Sequence, residues 1–141
     1  MISGLAGISE EKPSYAGQPL PGIQLMLVDT EGKEIKDNGF EGYLCIKFPW
    51  PSMIRTTYGD HERCRINYFA TYKDLYFTGD GARREDNDMY RLLGRVDDVI
   101  NVSGHRFGTA EIENAINQNK KVIESAVVGY PHDVKGQGIY A

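Results

Sequence analysis

Two motifs, separated by a short gap, contain residue types that suit a nucleotide ligand. Residues 76–80 (YFTGD) place the carboxylate of Asp80 beside glycine, and residues 94–113 contain two arginines and a glycine-bounded loop. A carboxylate can accept hydrogen bonds from both hydroxyls of a ribose, and a guanidinium can fork onto ribose or phosphate oxygens. Glycine lets the backbone approach a bulky ligand. The two motifs together therefore predict a nucleotide-binding site.

The overall composition is that of a soluble globular protein, with 40% hydrophobic and 26% charged residues among 141. The formal net charge is −4, and the arginine pair at residues 83–84 is followed by three carboxylates, so no basic surface for nucleic acid is indicated. No apolar run approaches the roughly 20 residues that cross a bilayer. The first residues lack a secretory signal. We therefore expect a cytoplasmic protein without a nucleic-acid or membrane partner.

The spacing of apolar and turn-forming residues predicts a β-rich first part and an α/β second part. Strands are expected at residues 23–28, 33–35, 42–48, 75–78 and 89–93, with a turn over 83–88 and a short helix over 60–68. Beyond residue 98 the expected order is strand, a helix from Thr109, a strand over 123–130 and another strand starting at 138. The predicted class is α+β, with a β-rich subdomain followed by a hinge and the first half of a small α/β domain. We place the boundary at Asp97, which divides the chain into residues 1–96 and 97–141.

Each candidate residue also has a purely structural explanation. A Gly-Asp-Gly sequence often forms a plain turn, so Asp80 alone would not indicate a ligand. Arg95 could form a surface ion pair, and the loop at residues 103–108 could be a strand-to-helix turn. His61 and Cys64 have metal-like spacing, but a four-ligand site needs a second pair, so no metal site is predicted.

Four segments resemble the AMP-forming acetyl-CoA synthetases of the adenylate-forming superfamily. They are residues 59–63 (GDHER), 76–84 (YFTGDGARR), 101–106 (NVSGHR) and 108–113 (GTAEIE). Asn101, where many superfamily members have lysine, is typical of the acetate and propionate subgroup. The likeness continues through Pro131-His132 and residues 135–138 (KGQG). The chain departs from the subgroup at Met89, Arg91 and Phe107, which leaves room for a relative with altered substrate choice.

The resemblance implies four contacts to ATP or AMP. Asp80 would bind both ribose hydroxyls, and Arg95 would place its guanidinium on the same ribose. Leu92 would lie near the adenine face. Arg106 would contact the phosphate or pyrophosphate of ATP.

The resemblance also implies a CoA contact and a hinge. Gly104 would let the pantetheine of CoA pass close to the backbone, with Ser103 beside that tunnel. Asp97 would be the hinge about which the C-terminal domain rotates between an adenylating and a thioester-forming orientation.

The activity implied by the resemblance is that of an acetate–CoA ligase that uses ATP, Mg²⁺ and CoA. The phosphate loop, the acyl pocket and a late catalytic lysine are not found in residues 1–141. We therefore expect an internal piece of a longer parent chain, with no complete catalytic set and no activity alone. A propionyl- or acetoacetyl-CoA synthetase is an alternative within the superfamily. A free-standing, non-catalytic β-rich binding module is the alternative outside it.

Overall fold

A computed structural model describes residues 1–103 and 105–141, which form two compact units, Met1–Leu92 and Leu93–Ala141. Among these residues both units combine strands with one short α-helix, and the first also has a 3₁₀ turn at Asp86–Asp88, which confirms the predicted α+β class. No helix in the described part of the chain is both long enough and apolar enough to cross a membrane.

The first unit is built on a five-stranded sheet in the order β2-β1-β3-β4-β5. Its strands are β1 (Leu25–Val28), β2 (Glu34–Ile35), β3 (Glu41–Ile46), β4 (Tyr76–Arg84) and the first half of β5 (Tyr90–Arg95), which ends three residues into the second unit. Strand β1 pairs antiparallel with both β2 and β3, and β3 pairs antiparallel with β4.

Alternating side chains of the central strands fill two clusters, because successive residues of a strand point to opposite faces. One cluster contains Leu27, Leu44, Ala82 and Tyr90. The other contains Val28, Cys45 and Tyr72. Full burial of each large apolar side chain stabilises the fold by about 1.5–3 kcal/mol.

The helix α1 (His61–Phe69) begins where the sequence predicts it. Its N-cap is Asp60, whose Oδ1 accepts a hydrogen bond from the backbone N–H of Arg63 at 2.9 Å. Such a cap satisfies one of the free N–H groups of the first turn. The aspartate of the GDHER motif therefore fixes the start of this helix.

The second unit contains a four-stranded sheet in the order β7-β6-β9-β8. Its elements are β6 (Val99–Val102), β7 (His105–Gly108), the helix α2 (Thr109–Asn117), β8 (Val128–His132) and β9 (Gly136–Tyr140). Helix α2 starts at Thr109, as predicted. Glu113 on this helix anchors the following connection, since its Oε1 accepts from the backbone N–H of Val127 at 2.9 Å.

Several boundaries differ from the sequence-based expectation by one or two residues, and three differ by more. Strand β4 runs on to Arg84 instead of ending at residue 78, because β3 pairs with it as far as Arg83. Within the expected loop at residues 103–108, His105–Gly108 forms a strand paired with β6. The strand expected over 123–130 begins only at Val128, and Ile123 is fully exposed.

Candidate functional site

Asp80 lies within β4, at a bulge in its pairing with β3. Tyr43 is opposite Gly81 and Cys45 is opposite Phe77, so residues 78–80 of β4 face Leu44 alone. Bulges of this kind re-aim side chains and are frequent beside active sites. Asp80 is half-buried at this point. The carboxylate that the sequence singles out therefore stands on an irregular part of a central strand.

Thr78 holds the bulge together with its hydroxyl. Its Oγ1 donates to the carbonyl oxygen of Leu44 at 3.0 Å and accepts from the backbone N–H of Asp80 at 3.2 Å. Between them Gly79 has φ +80°, a left-handed conformation that glycine adopts without steric cost. The Thr-Gly-Asp order is thus explained by the geometry of the bulge, and Thr78 is a site residue that the sequence motifs did not identify by role.

Aromatic side chains on both faces fix β4 just before the bulge. The ring of Tyr76 packs edge-on against Trp50 at 5.0 Å and is stacked with Tyr68 of α1 at 5.3 Å between ring centroids. On the other face Phe77 packs edge-on against Tyr72 at 5.5 Å. Aromatic pairs of this geometry are each worth about 0.5–1.5 kcal/mol beyond their buried area. Helix α1 thereby supports the strand that carries Asp80.

The next strand carries the second group of predicted ligand contacts. Leu92 is 47% exposed, which leaves an apolar side chain available to a flat ligand. Arg95 is the last residue of β5, and its Nε donates to Oδ1 of Asp97 at 3.0 Å. The backbone N–H of Asp98 donates to the carbonyl oxygen of Arg95 at 3.2 Å, which closes a turn around Asp97.

The Arg95–Asp97 pair is exposed, with 51% and 71% of the two side chains accessible. The hydrogen bond from Arg95 lowers the pKa of Asp97 below its ordinary value. An exposed pair of this kind contributes little to folding stability. It nevertheless joins the predicted ribose-binding arginine to the predicted hinge residue.

The hairpin of β6 and β7 carries the remaining predicted site residues. Val102 is opposite His105, so Ser103 and Gly104 connect the two strands. Ser103 has φ +52°, in the left-handed region that non-glycine residues seldom adopt. Its backbone N–H donates to the carbonyl oxygen of Lys135 at 2.9 Å. Gly104 and the side chain of Arg106 lie outside the described residues, although the backbone of Arg106 is paired with Asn101.

The described residues of the chain, 1–103 and 105–141, contain no group of three or more His, Cys, Asp or Glu side chains that could hold a metal ion. His61 Nδ1 is 3.2 Å from Oγ1 of Thr56, and Cys64 is buried with 1% exposure. His61 therefore contacts the preceding loop, and Cys64 packs in the interior.

Comparison with known proteins shows which families and proteins have sequences similar to this chain. Residues 111–141 match the AMP-binding enzyme C-terminal domain. Over all 141 residues the chain is 60% identical to acetyl-coenzyme A synthetase of Methylorubrum populi and of Methylorubrum extorquens. It is 56% identical to acetyl-coenzyme A synthetase of Leptospira biflexa over 142 aligned residues. Over its whole length the chain is thus similar to part of the acetyl-coenzyme A synthetases.

The chain spans 22% of the length of each of these three curated relatives. A solved structure of an ATP-bound RpMatB–BxBclM chimera has a TM-score of 0.79 to this chain at 27% identity. That match covers 94% of this chain and 25% of the chimera. The α+β fold described above is therefore that of the corresponding part of an adenylate-forming enzyme.

Proposed function

We propose that this chain is part of an AMP-forming acetate–CoA ligase, where it supplies nucleotide and CoA contacts and the hinge between two domains. The observation that carries the proposal is the 60% identity over the whole chain to acetyl-coenzyme A synthetases. The rest of the ligase, in the same longer chain, supplies the remaining groups. The bulged strand around Asp80 and the β6–β7 hairpin support the assignment of individual residues.

In the first half-reaction a carboxylate oxygen of acetate attacks the α-phosphorus of ATP, and pyrophosphate leaves. Asp80 is assigned to the two ribose hydroxyls, because its carboxylate is half-buried on a strand that Thr78 and the aromatic rings of Tyr76 and Phe77 hold in place. Fixing the nucleotide in this way lowers the entropic part of the barrier. Asp80 acts by positioning and takes no part in bond making.

Three further residues are assigned to the nucleotide in the same proposal. Arg95, whose guanidinium is half-exposed at the end of β5, contacts the ribose. Leu92, 47% exposed on the same strand, covers the adenine. Arg106 contacts the phosphates, where a permanently charged fork suits the anionic oxygens.

In the second half-reaction the thiolate of CoA attacks the acyl carbonyl of acetyl-AMP, and AMP leaves. Ser103 and Gly104 are assigned to the pantetheine arm, which the absence of a side chain on glycine lets approach the backbone. Asp97 is assigned as the hinge between residues 1–96 and 97–141, since it lies in a short turn that could absorb a change in backbone angles. Rotation at this hinge brings the groups needed by one half-reaction into place and moves those needed by the other away.

Mg²⁺ belongs to the proposal only as a partner of the ATP phosphates, whose negative charge it neutralises. The described residues do not offer it a carboxylate cluster, so we assign it no ligand in this chain. A cytoplasmic location without a nucleic-acid or membrane partner is part of the same proposal, since ATP and CoA are substrates of that compartment.

The test compares the full-length ligase with the 141-residue chain. The full-length protein should form acetyl-CoA, AMP and pyrophosphate from acetate, ATP and CoA, with propionate and acetoacetate as poorer substrates. The 141-residue chain alone should show no acetate-dependent ATP–pyrophosphate exchange. Faster turnover of propionate or acetoacetate would reassign the substrate. Clear exchange by the short chain would contradict its role as one part of a larger site.

A further inference from the structure

The KGQG segment and the preceding histidine form the tight end of the β8–β9 hairpin. His132 is opposite Gly136, so residues 133–135 make a three-residue connection between the strands. Gly136 has φ +77°, the left-handed conformation with which such connections commonly close. Gly138 leaves room for the ring of Tyr130, because a Cβ at this position would lie 2.4 Å from Cζ of that ring. Both glycines are thus explained by the hairpin itself.

The imidazole of His132 organises this connection. Its Nδ1 accepts hydrogen bonds from the backbone N–H groups of Val134 at 3.2 Å and Lys135 at 3.3 Å. A ring nitrogen that accepts must carry a lone pair, so the ring is the tautomer with its proton on Nε2. The ring of Tyr130 lies beside it, with 6.3 Å between the ring centroids. His132 therefore orients the peptide units that lead into Lys135.

Lys135 in turn holds the tip of the neighbouring hairpin. Its carbonyl oxygen accepts the backbone N–H of Ser103 at 2.9 Å, next to the pairing of Val102 with Gly136. Ser103 has φ +52°, which a non-glycine residue adopts only when its surroundings hold it there. The hydrogen bonds thus run from His132 Nδ1 through the connection to the backbone of Ser103.

We propose that His132 is a positioning residue for the CoA-binding turn, acting through Lys135 on the backbone of Ser103. This inference rests on the proposed function, which assigns Ser103 and Gly104 to the pantetheine arm of CoA. Loss of the Nδ1 acceptor releases the connection, and the turn at Ser103 then samples conformations that do not fit the thiol arm. Ser103 and Gly104 are not assigned to the adenylation step, and Arg106, assigned to the ATP phosphates, lies on the paired strand β7, so that step is unaffected.

Two matched substitutions separate the acceptor from the rest of the ring. In His132→Asn the amide Oδ1 occupies nearly the place of Nδ1 and accepts the same N–H groups, as asparagine does in turns. In His132→Gln the longer side chain carries the amide beyond this position, so it does not accept these N–H groups. In the full-length ligase we expect His132→Gln to raise the KM for CoA about fivefold, within the range set by the loss of one or two hydrogen bonds. We expect His132→Asn to stay within about twofold of wild type, and ATP–pyrophosphate exchange to be unchanged in both.

Hydrogen exchange at the Ser103 amide, followed by mass spectrometry on the same proteins, tests the link without CoA. Faster exchange in His132→Gln than in His132→Asn, together with the selective rise in KM for CoA, supports the proposal. Unchanged exchange at Ser103, an unchanged KM for CoA, or equal loss of both half-reactions overturns it. Failure of the proposed function is a separate result, since the wild-type protein would then form no acetyl-CoA at all.

Discussion

Arg95 donates its Nε–H to Oδ1 of Asp97 at 3.0 Å, so two residues with different proposed roles share one ion pair. The pair lowers the pKa of Asp97. A lowered carboxyl pKa means that the pair is intact at neutral pH and is lost only as the pH falls through that lowered value. Because both side chains are more than half exposed, the pair is weak enough to exchange for another partner.

Replacing the hinge residue with proline should separate the two half-reactions. Proline fixes φ near −65° and also restricts the preceding residue, so Asp97→Pro should hold one orientation of the C-terminal domain. We expect acetate-dependent pyrophosphate exchange to survive, whereas acetyl-CoA formation falls by at least about tenfold, equivalent to about 1.4 kcal/mol.

Asp97→Asn is the control for this experiment, because it removes the charge but leaves the backbone free. It should retain both half-reactions. Equal loss of both reactions in Asp97→Pro would indicate misfolding, and full retention of both would show that the chain does not bend at this residue.

The hydroxyl of Thr78 should be essential to the bulge that presents Asp80. Thr78→Val keeps the shape of the side chain but leaves the carbonyl of Leu44 and the N–H of Asp80 without this partner. We expect a loss of about 1–3 kcal/mol in the free energy of unfolding, the cost of an unsatisfied polar group, and a higher KM for ATP. Thr78→Ser retains the hydroxyl and should lie close to wild type in both denaturant unfolding and ATP kinetics. Equal behaviour of the two variants would exclude a role for the hydroxyl.

The elements with local signals could be predicted from the sequence. Asp60 caps α1, and an aspartate followed by an acidic first turn is a local signal that favours a helix start. Apolar spacing and turn residues likewise predict the start of α2 at Thr109 and a strand at residues 23–28, which in the structure covers Leu25–Val28.

The elements that depend on distant partners could not be predicted in this way. Gly79 and Gly81 suggest a turn, yet β4 continues through them because β3 lies alongside. The apolar residue Ile123 suggests a strand, but it is fully exposed and the pairing with β9 begins at Val128.

In the site, Asp80 was recognisable by its residue type and motif. The roles of Thr78 and His132 were not, because they depend on the register of a bulge and the geometry of a hairpin.

The two cysteines should be inert thiols in the folded chain. Cys45 has 0% exposure and Cys64 has 1% exposure. Burial raises the pKa of Cys45 to about 12, so its thiolate is scarce at neutral pH. A raised thiol pKa also means that folding stability is complete at neutral pH and declines as the pH rises from about 9, where an unfolded thiol ionises, towards that value. Alkylation at pH about 8, near the pKa of a free thiol, should label Cys45 only after denaturation. Rapid labelling of the native protein would contradict the buried position.

The proposed assignment of Asp80 to the ribose is tested most directly by the ATP dependence of acetate-driven pyrophosphate exchange in the full-length ligase. Asp80→Ala should lower kcat/KM for ATP by about 5- to 150-fold, which corresponds to the 1–3 kcal/mol cost of leaving polar groups unpaired. Asp60→Ala is the matched control, since it removes a carboxylate that caps a helix in the same unit; it should cost about 1 kcal/mol in stability and leave ATP kinetics unchanged. An ATP dependence of Asp80→Ala equal to that of wild type would contradict the account and make Asp80 a residue of the bulge alone.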